Sequence, residues 1–161
     1  MSEPGSPLQI RLATSADIDV LVEFNAAMAR ETEEKTLDSA VLRAGVAAVL
    51  AEPRRGFYLA AECAGKIAGC LMITYEWSDW RNGDWWWLQS VYVRPGHRRR
   101  GVFRALYAEI ERRAAATADV IGVRLYVEQD NHRAQQTYAA LGMHEEQYRM
   151  YAKVLRALRA T

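Results

Sequence analysis

Apolar and polar residues alternate with two different periods along the first part of the chain. A period of two over residues 8–12 predicts a β-strand, and Thr14 then offers a side chain that can cap a helix. Apolar residues three and four apart follow, and they predict a helix that ends near Arg30. A second apolar stripe over residues 41–50 predicts another helix, which Pro53 ends.

The middle of the chain has the pattern of three consecutive strands. Residues 57–63 and 66–76 predict a hairpin with a two-residue turn between them. After a polar loop, the run over residues 85–93 predicts a third strand, bounded by Pro95. Its three consecutive tryptophans are expected to pack on both faces of the sheet.

The hairpin also decides what its two cysteines can do. In a regular hairpin Cys63 faces Lys66 and Cys70 faces Leu59, which separates the two sulfurs by about 13 Å along one face. A disulfide requires α-carbons within about 7 Å. We therefore predict two reduced, buried thiols. We expect no metal site, since neither cysteine has a second ligand at a suitable spacing.

The last third of the chain alternates between helix and strand patterns. A helix opens at Gly101, a strand covers residues 123–128, and a short helix begins at Asn131 and stops at Gly142. A strand around residues 146–152 and a short basic helix complete the chain. The predicted order of elements is β-α-α-β-β-β-α-β-α-β, an α/β (α+β) fold.

Composition narrows the class of protein further. The chain has 161 residues, 50% of them apolar and 25% charged, with 21 basic residues against 20 acidic ones. This length favours one domain with its own core, and the balanced charge gives no reason to expect a nucleic-acid or membrane partner. No apolar run reaches the roughly 18 residues of a membrane helix, and the start lacks a secretory pattern. We expect a cytoplasmic protein with a disordered tail over residues 1–6 and one domain over residues 7–161.

The segment from Ser90 to Arg104 carries the clearest chemical signal. A strand leads into a tight turn and then into a helix whose first N–H groups have no intrahelical partner, an arrangement that binds anions. Gly101 allows a phosphate close to the backbone, and the three arginines before it add positive charge. The same arginines are compatible with a solvated basic surface or a nucleic-acid patch, although no interleaved aromatic residues support the latter.

This segment resembles the acetyl-CoA-binding core of the GCN5-related N-acetyltransferase (GNAT) superfamily. The family has a strand that ends in Val-x-Pro, followed by Arg/Gln-x-x-Gly-x-Gly/Ala at the start of a helix. The matching residues here are Val93-Arg94-Pro95 and Arg98-Arg99-Arg100-Gly101-Val102-Phe103. Phe103 departs from the small residue of the family.

Two further segments resemble the same family, in the same order along the chain. Near the start they are Ile10–Thr14 and Asp17, and near the end they are Leu125–Asn131, Ala134, Tyr138 and Leu141-Gly142-Met143. The resemblance implies a single GNAT-like domain with a central, twisted, mixed but mostly antiparallel sheet flanked by helices. It also implies an N-acetyltransferase that moves the acetyl group of acetyl-CoA directly to a primary amine of a small molecule in a ternary complex.

Alternatives within and outside the enzyme class remain open at this point. The acceptor could be a protein lysine or N-terminus, or the chain could be an acyl-CoA-binding sensor without turnover. A small molecule fits a closed aromatic pocket, whereas a peptide needs a long groove. The family often pairs through its C-terminal strands, so a homodimer is a further expectation.

The resemblance assigns roles to individual residues. Tyr138 is the implied catalytic residue, because a phenol with an ordinary pKa of about 10 stays protonated and can donate to a thiolate. Main-chain groups of Val91 and Val93 would face the pantetheine arm, where the strand over residues 85–93 separates from the strand that begins at about residue 123. Asn131 would hydrogen-bond to the arm. The implied cofactor-binding residues are Val91, Tyr92, Val93, Arg98, Arg99, Arg100, Gly101, Val102, Phe103, Asn131 and Ala134.

The general base and the acceptor site are less defined. Gln89 cannot take a proton, so the candidate bases are a water chain or one of the acids Glu31, Glu33, Asp79 and Glu128. Acids interleaved with tryptophan suit a cationic amine through charge and cation–π attraction. We expect the segments over residues 30–35 and 76–80 to face the same end of the sheet. The candidate substrate residues in them are Glu31, Glu33, Trp77, Asp79 and Trp80.

Overall fold

A five-stranded mixed sheet with helices on both faces organises the larger part of the protein. The computed structural model describes residues 7–156, which divide into two compact units, residues 7–124 and residues 125–156. The first unit contains β1 (Gln9–Leu12), α1 (Ile18–Glu33), α2 (Ser39–Ala51), β2 (Phe57–Cys63), β3 (Lys66–Ser78), β4 (Gly83–Val93), α3 (Val102–Ala115) and β5 (Val120–Arg124). The second unit contains α4 (His132–Ala140).

The sheet has the strand order β1-β2-β3-β4-β5. The first four strands pair antiparallel and β5 pairs parallel to β4, which confirms the predicted α/β class and the mixed, mostly antiparallel sheet. Among the described residues, no helix is both long and apolar enough to cross a bilayer.

A single 3-10 turn, Ser15–Asp17, leads into α1, and this turn has the capping pattern predicted at Thr14. The Thr14 main-chain N–H donates to the Asp17 carboxylate at 2.7 Å, and the Arg11 guanidinium reaches both oxygens of that carboxylate at 2.8 and 3.0 Å. These contacts hold the pKa of Asp17 below its ordinary value, mainly through the hydrogen bond from Arg11, although burial acts in the opposite direction. The helix therefore begins at a fixed point beside β1.

The β2–β3 hairpin has the predicted turn and a corrected register. Cys63 pairs with Lys66 as expected, but Cys70 lies opposite Ala60 rather than Leu59. A register shift between Ala61 and Glu62 moves the pairing by one residue, as a β-bulge does. Neither cysteine forms a disulfide, as predicted, but only Cys70 is buried as expected, since Cys63 lies partly exposed at the hairpin turn. Burial raises the pKa of Cys70 to about 12.

Adjacent residues of β3 show that helices cover both faces of the sheet. Cys70 belongs to a buried cluster with Phe24 of α1, whereas a Cβ on Gly69 would lie 3.1 Å from the side chain of Val102 of α3. Since successive strand residues point to opposite faces, α1 and α3 pack on opposite sides. The face under α1 is closed by Leu21, Phe24, Val46, Tyr58, Cys70 and Tyr92.

Two predicted strands near the C-terminus are corrected. The strand expected over residues 123–128 is β5 at Val120–Arg124, where a Cβ on Gly122 would lie 2.8 Å from the ring of Trp85. The strand expected over residues 146–152 does not form, because residues 143–156 are neither helix nor strand. Alternating apolar residues make a strand only where a neighbouring strand accepts their backbone hydrogen bonds.

The second unit contains one of the predicted helices. Gly142, with φ of 85°, follows α4, and the N–H of Met143 donates to the carbonyl of Tyr138. This is the left-handed helix ending that the glycine predicts. The tail over residues 1–6 and most of the final basic helix lie outside the described residues.

Candidate functional site

The strand β4 differs between its two halves. Its first half pairs with β3 on one side and with β5 on the other, and the β5 ladder ends at the pair Trp87–Arg124. From Leu88 to Val93 the strand continues to pair with β3. The ladder to β5 thus ends close to residue 123, where the family resemblance implies that the two strands separate.

A bulge interrupts the second half of β4 at Ser90. The register passes from Met72–Gln89 to Cys70–Tyr92, and Ser90 has φ of 50°. The extra residue reverses which face the following side chains take. Trp86 stacks on Phe57 at 5.3 Å on one face, whereas Tyr92, also even-numbered, packs on Phe24 at 5.0 Å on the α1 face.

Buried polar groups lie under this bulge, and they were not predicted from the sequence. The Asn25 side chain donates to the Tyr58 hydroxyl at 3.3 Å, and the Cys70 thiol donates to the Ser90 carbonyl at 3.6 Å. Burial raises the pKa of Tyr58, although Asn25 and Ser90 oppose the shift. The available signal was Asn25 itself, a polar residue four positions after Leu21 on the apolar stripe of α1.

The turn between β4 and α3 presents main-chain donors. Arg99 and Gly101 have φ of 63° and 79°, both left-handed, and the first helical bond of α3 runs from Ala105 to Gly101. Within the described chain, the N–H groups of Arg99, Arg100, Gly101 and Val102 make no hydrogen bond of normal geometry. Consecutive amides around left-handed residues form a concave anion site, and the space above Gly101 is open.

The side chains of the turn divide into two groups. Arg99, Arg100 and Arg104 are exposed and form no ion pair within residues 7–156. Phe103, by contrast, is partly buried, and its ring lies 6.1 Å from that of the buried Tyr107. The exposed arginines surround the free amides with positive charge.

Arg98 contacts protein groups instead of facing outward. Its Nη2 donates to Glu31 at 2.6 Å, its Nε donates to the Val93 carbonyl at 2.8 Å, and its guanidinium lies 5.4 Å from the centre of the Tyr92 ring. The Tyr92 hydroxyl donates to the other Glu31 oxygen at 2.9 Å. A direct phosphate contact by the Arg98 side chain is therefore not supported by its position.

Glu31 is correspondingly a poor general base. Both carboxylate oxygens already accept hydrogen bonds, and the pKa of Glu31 lies below its ordinary value, mainly because of Arg98. Glu33, the other acid of this helix end, is exposed and pairs with Lys35. The lowered pKa of Glu31 does not suit proton abstraction near neutral pH.

The candidate substrate residues do not come together. Glu31 lies beside Tyr92, near the end of β4, whereas Trp77 pairs with Asp84 near its start. Asp84 and Tyr92 are eight residue steps apart along β4, which is about 26 Å at the usual rise. Glu33 belongs to the first group, and Asp79 and the exposed Trp80 belong to the second. The expectation that both segments face one end of the sheet is wrong.

The tryptophans of β4 pack on both faces, as predicted. Trp86 is buried between Phe57 and Tyr75, whereas Trp85 lies under the Arg124 guanidinium at 3.9 Å from the ring centre. On that second face the Trp87 indole donates to Glu76 at 2.6 Å. Trp87 lies three residues before the bulge at Ser90, and Glu76 of β3 pairs with Trp85, five residues before the bulge.

In the second unit, Asn131 directly precedes α4 and Tyr138 lies within it. The Asn131 side chain accepts from the N–H of Ala134 at 3.1 Å and so caps the helix. Burial raises the pKa of Tyr138 above its ordinary value, so its hydroxyl keeps its proton at neutral pH. Glu128, another candidate base, precedes the helix as an exposed residue.

Comparison with known proteins agrees with this geometry. The acetyltransferase (GNAT) family model matches residues 21–143. The chain belongs to the GNAT family of acetyltransferases. GNAT proteins bind acetyl-CoA and transfer its acetyl group, and the free amides, the open space above Gly101 and the exposed arginines fit the diphosphate of this cofactor.

Solved GNAT structures extend the comparison. A possible acetyltransferase from Clostridium difficile 630 is 42% identical, with a TM-score of 0.87 over 92% of this chain and 98% of its own. A predicted acetyltransferase from Clostridium acetobutylicum, solved with acetyl-CoA, is 17% identical, with a TM-score of 0.76 over 92% and 97%. The aminoglycoside N-acetyltransferase AAC(6')-Iy, solved with CoA, is 16% identical, with a TM-score of 0.75 over 97% and 100%. A search of curated proteins finds no match.

Proposed function

We propose that this GNAT protein is an N-acetyltransferase that moves the acetyl group of acetyl-CoA to a primary amine of a small molecule, with residues 7–161 as the acetyltransferase domain. The observation that carries the proposal is the turn before α3, where free amides and left-handed residues at 99 and 101 follow a bulged strand. Anion-binding turns of this kind hold phosphates through main-chain donors.

The proposed cofactor contacts come from main-chain groups and exposed cations. The N–H groups of residues 99–102 would hold the diphosphate, and Arg99, Arg100 and Arg104 would supply charge around it. Val91 and Val93 would offer main-chain groups to the pantetheine arm, and the family resemblance adds Asn131 and Ala134. Tyr92 and Arg98 would act through the protein, because their polar groups already contact Glu31.

Acetyl transfer requires two groups from the protein, a donor to the thioester carbonyl oxygen and a proton donor to the departing sulfur. The thioester of acetyl-CoA supplies an activated acetyl group and a thiolate leaving group. A main-chain N–H beside the Ser90 bulge would donate to the carbonyl oxygen as it gains negative charge, worth roughly 3 kcal/mol in comparable sites. Tyr138 would hold the proton for the departing sulfur at its hydroxyl, since burial keeps its pKa raised.

We propose that the amine loses its proton through water. Gln89 donates to the Thr74 hydroxyl at 2.7 Å, and Glu31 is ionised and occupied by two donors, so neither offers a base. A small-molecule acceptor is supported by the likeness of the fold to an aminoglycoside N-acetyltransferase solved with CoA.

Thiol release from acetyl-CoA with a panel of small amines and of peptides tests the proposal. We expect amine-dependent release, and we expect Tyr138→Phe to lower kcat about 100-fold while CoA affinity stays within about twofold. Binding of CoA would be measured by calorimetry on both proteins. Tight CoA binding without release for any acceptor would instead indicate a sensor, and release with peptides alone would indicate a protein acetyltransferase.

A further inference from the structure

We infer that Glu31 is a positioning residue that holds the diphosphate-binding turn against α1 through Arg98 and Tyr92. This inference rests on the proposed function, because it assigns a role to Glu31 in the binding of CoA. The residue itself is not assigned a contact with the cofactor, and its role is distinct from that of a general base.

The contacts around Glu31 form a closed set. Its two oxygens accept from Arg98 at 2.6 Å and from the Tyr92 hydroxyl at 2.9 Å, while Arg98 also donates to the Val93 carbonyl at 2.8 Å. Tyr92 packs between Phe24 and the Arg98 guanidinium, at 5.0 and 5.4 Å. One carboxylate of α1 thus holds both Tyr92, at the end of β4, and Arg98, which precedes the free amides.

The main chain at Arg98 has one weak backbone hydrogen bond. Its N–H makes a long bond of 3.3 Å to the Pro95 carbonyl, and the next residue, Arg99, adopts a left-handed conformation. A non-glycine residue in that conformation costs about 1–2 kcal/mol and persists only where its surroundings fix it. The side-chain contacts of Arg98 supply such a constraint one residue away.

A second arginine–glutamate pair offers a matched control. Arg94 pairs with Glu23 of the same helix at 2.8 Å, and its guanidinium also lies 4.8 Å from the ring of Phe24. Arg94 is anchored without Glu23, because its N–H donates to Ala68 at 2.8 Å and its Nε donates to Ile67 at 3.0 Å, both on β3. Loss of Glu23 should therefore leave the turn in place.

The two pairs have similar exposure. The side-chain exposures are 42% and 41% for Arg98 and Glu31, against 38% and 55% for Arg94 and Glu23. Removal of the charge from either glutamate therefore changes the surface charge in the same way. A difference between Glu31→Gln and Glu23→Gln in CoA affinity must come from the position of the pair rather than from its charge.

Calorimetric titration with CoA tests the inference on the full chain. We expect Glu31→Gln and Arg98→Gln each to raise the Kd for CoA about fivefold, and the double variant to raise it no further than the weaker-binding single variant. Glu23→Gln should stay within about twofold of the wild type, and Tyr92→Phe should show a smaller increase than Glu31→Gln. Circular dichroism melts would verify that each variant is folded.

Kinetics with acetyl-CoA separate positioning from catalysis. We expect Glu31→Gln to raise KM for acetyl-CoA while kcat at saturation and the shape of its pH profile stay unchanged. A lowered kcat with loss of the low-pH limb would make Glu31 a base and overturn the inference, as would additive effects in the double variant. If wild type binds CoA and Glu31→Gln binds equally well, the positioning role alone fails; if wild type does not bind CoA, the proposed function fails.

Discussion

The two halves of β4 belong to one continuous strand but differ in how their backbone groups are paired. The half from Gly83 to Trp87 has a strand on each side, and its tryptophans pack on both faces. The half from Leu88 to Val93 pairs with β3, contains a left-handed residue, and leads into a turn with free amides. Satisfied backbone groups stabilise a sheet, whereas unsatisfied ones are available to a ligand. The contrast supports the proposal that acetyl transfer takes place beside the second half of β4.

The same contrast separates the arginines of the turn. Arg94 and Arg98 contact carboxylates of α1, whereas Arg99 and Arg100 are exposed. A run of basic residues in the sequence therefore contains both structural cations and cations available to a phosphate. Only the contacts of each side chain distinguish the two classes.

Deletion of Ser90 is the strongest way to break the contrast between the halves of β4. Removal of the extra residue lets Val91 pair with Leu71 while Tyr92 stays opposite Cys70 on the α1 face, so the strand becomes regular and its unpaired main-chain groups join the ladder to β3. We therefore expect urea unfolding close to that of the wild type, together with a loss of about 100-fold or more in kcat for acetyl transfer, because the main-chain N–H beside the bulge is no longer available to the carbonyl oxygen.

Ser90→Gly is the matched control for this deletion. Glycine adopts the left-handed conformation without a steric cost, so the register and the activity should be retained. A deletion variant that unfolds like the wild type and retains activity would contradict the role assigned to the bulge.

Gly101→Ala tests the turn with a smaller expected effect. Alanine at φ of 79° costs about 1–2 kcal/mol, and its methyl group enters the open space above the free amides. We expect CoA to bind about tenfold more weakly by calorimetry. Gly96→Ala, where no atom lies within 4 Å of the added Cβ and φ is not left-handed, should bind CoA normally. Equal effects of the two substitutions would mean that the turn is not the binding element.

The smallest expected effect is the pH dependence of the Glu31 contact. The folded-state pKa of Glu31 lies below its ordinary value, so its contribution to stability is present above that ordinary value and is lost as pH falls through the lowered one. The difference in unfolding free energy between wild type and Glu31→Gln should therefore be constant near neutral pH and shrink on acidification. Urea titrations from pH 7 to about pH 3 would measure it. A difference that grows at low pH would show that Arg98 does not stabilise the ionised form.

Local sequence patterns predicted α1 to α4 and the first four strands. They did not predict features that depend on which strand lies next to which. The cap at Thr14, the turn at Gly65 and the helix stop at Gly142 follow from the conformational preferences of single residues. The shift of β5 to Val120–Arg124 depends on its neighbour, because Gly122 lies against the ring of Trp85. The predicted strand over residues 146–152 had the alternation of a strand and no strand to pair with.

The candidate site was predictable where a motif specifies main-chain geometry. Gly101 indicated an anion-binding turn, and the structure has a left-handed residue and free amides there. The pairing of Arg98 with Glu31, 67 residues apart in the chain, has no local signal. The same is true of the bulge at Ser90, since serine has no strong preference for φ of 50°. The distance between Glu31 and Trp77 likewise depends on the length of β4.

Amide NMR of the turn tests the central claim most directly. Isotope-labelled protein would be titrated with CoA and, in parallel, with pantetheine, which has the arm without the diphosphate. We predict that the amide resonances of Arg99, Arg100, Gly101 and Val102 shift on addition of CoA and do not shift with pantetheine. Resonances of these four amides that stay unchanged at saturating CoA would contradict the account.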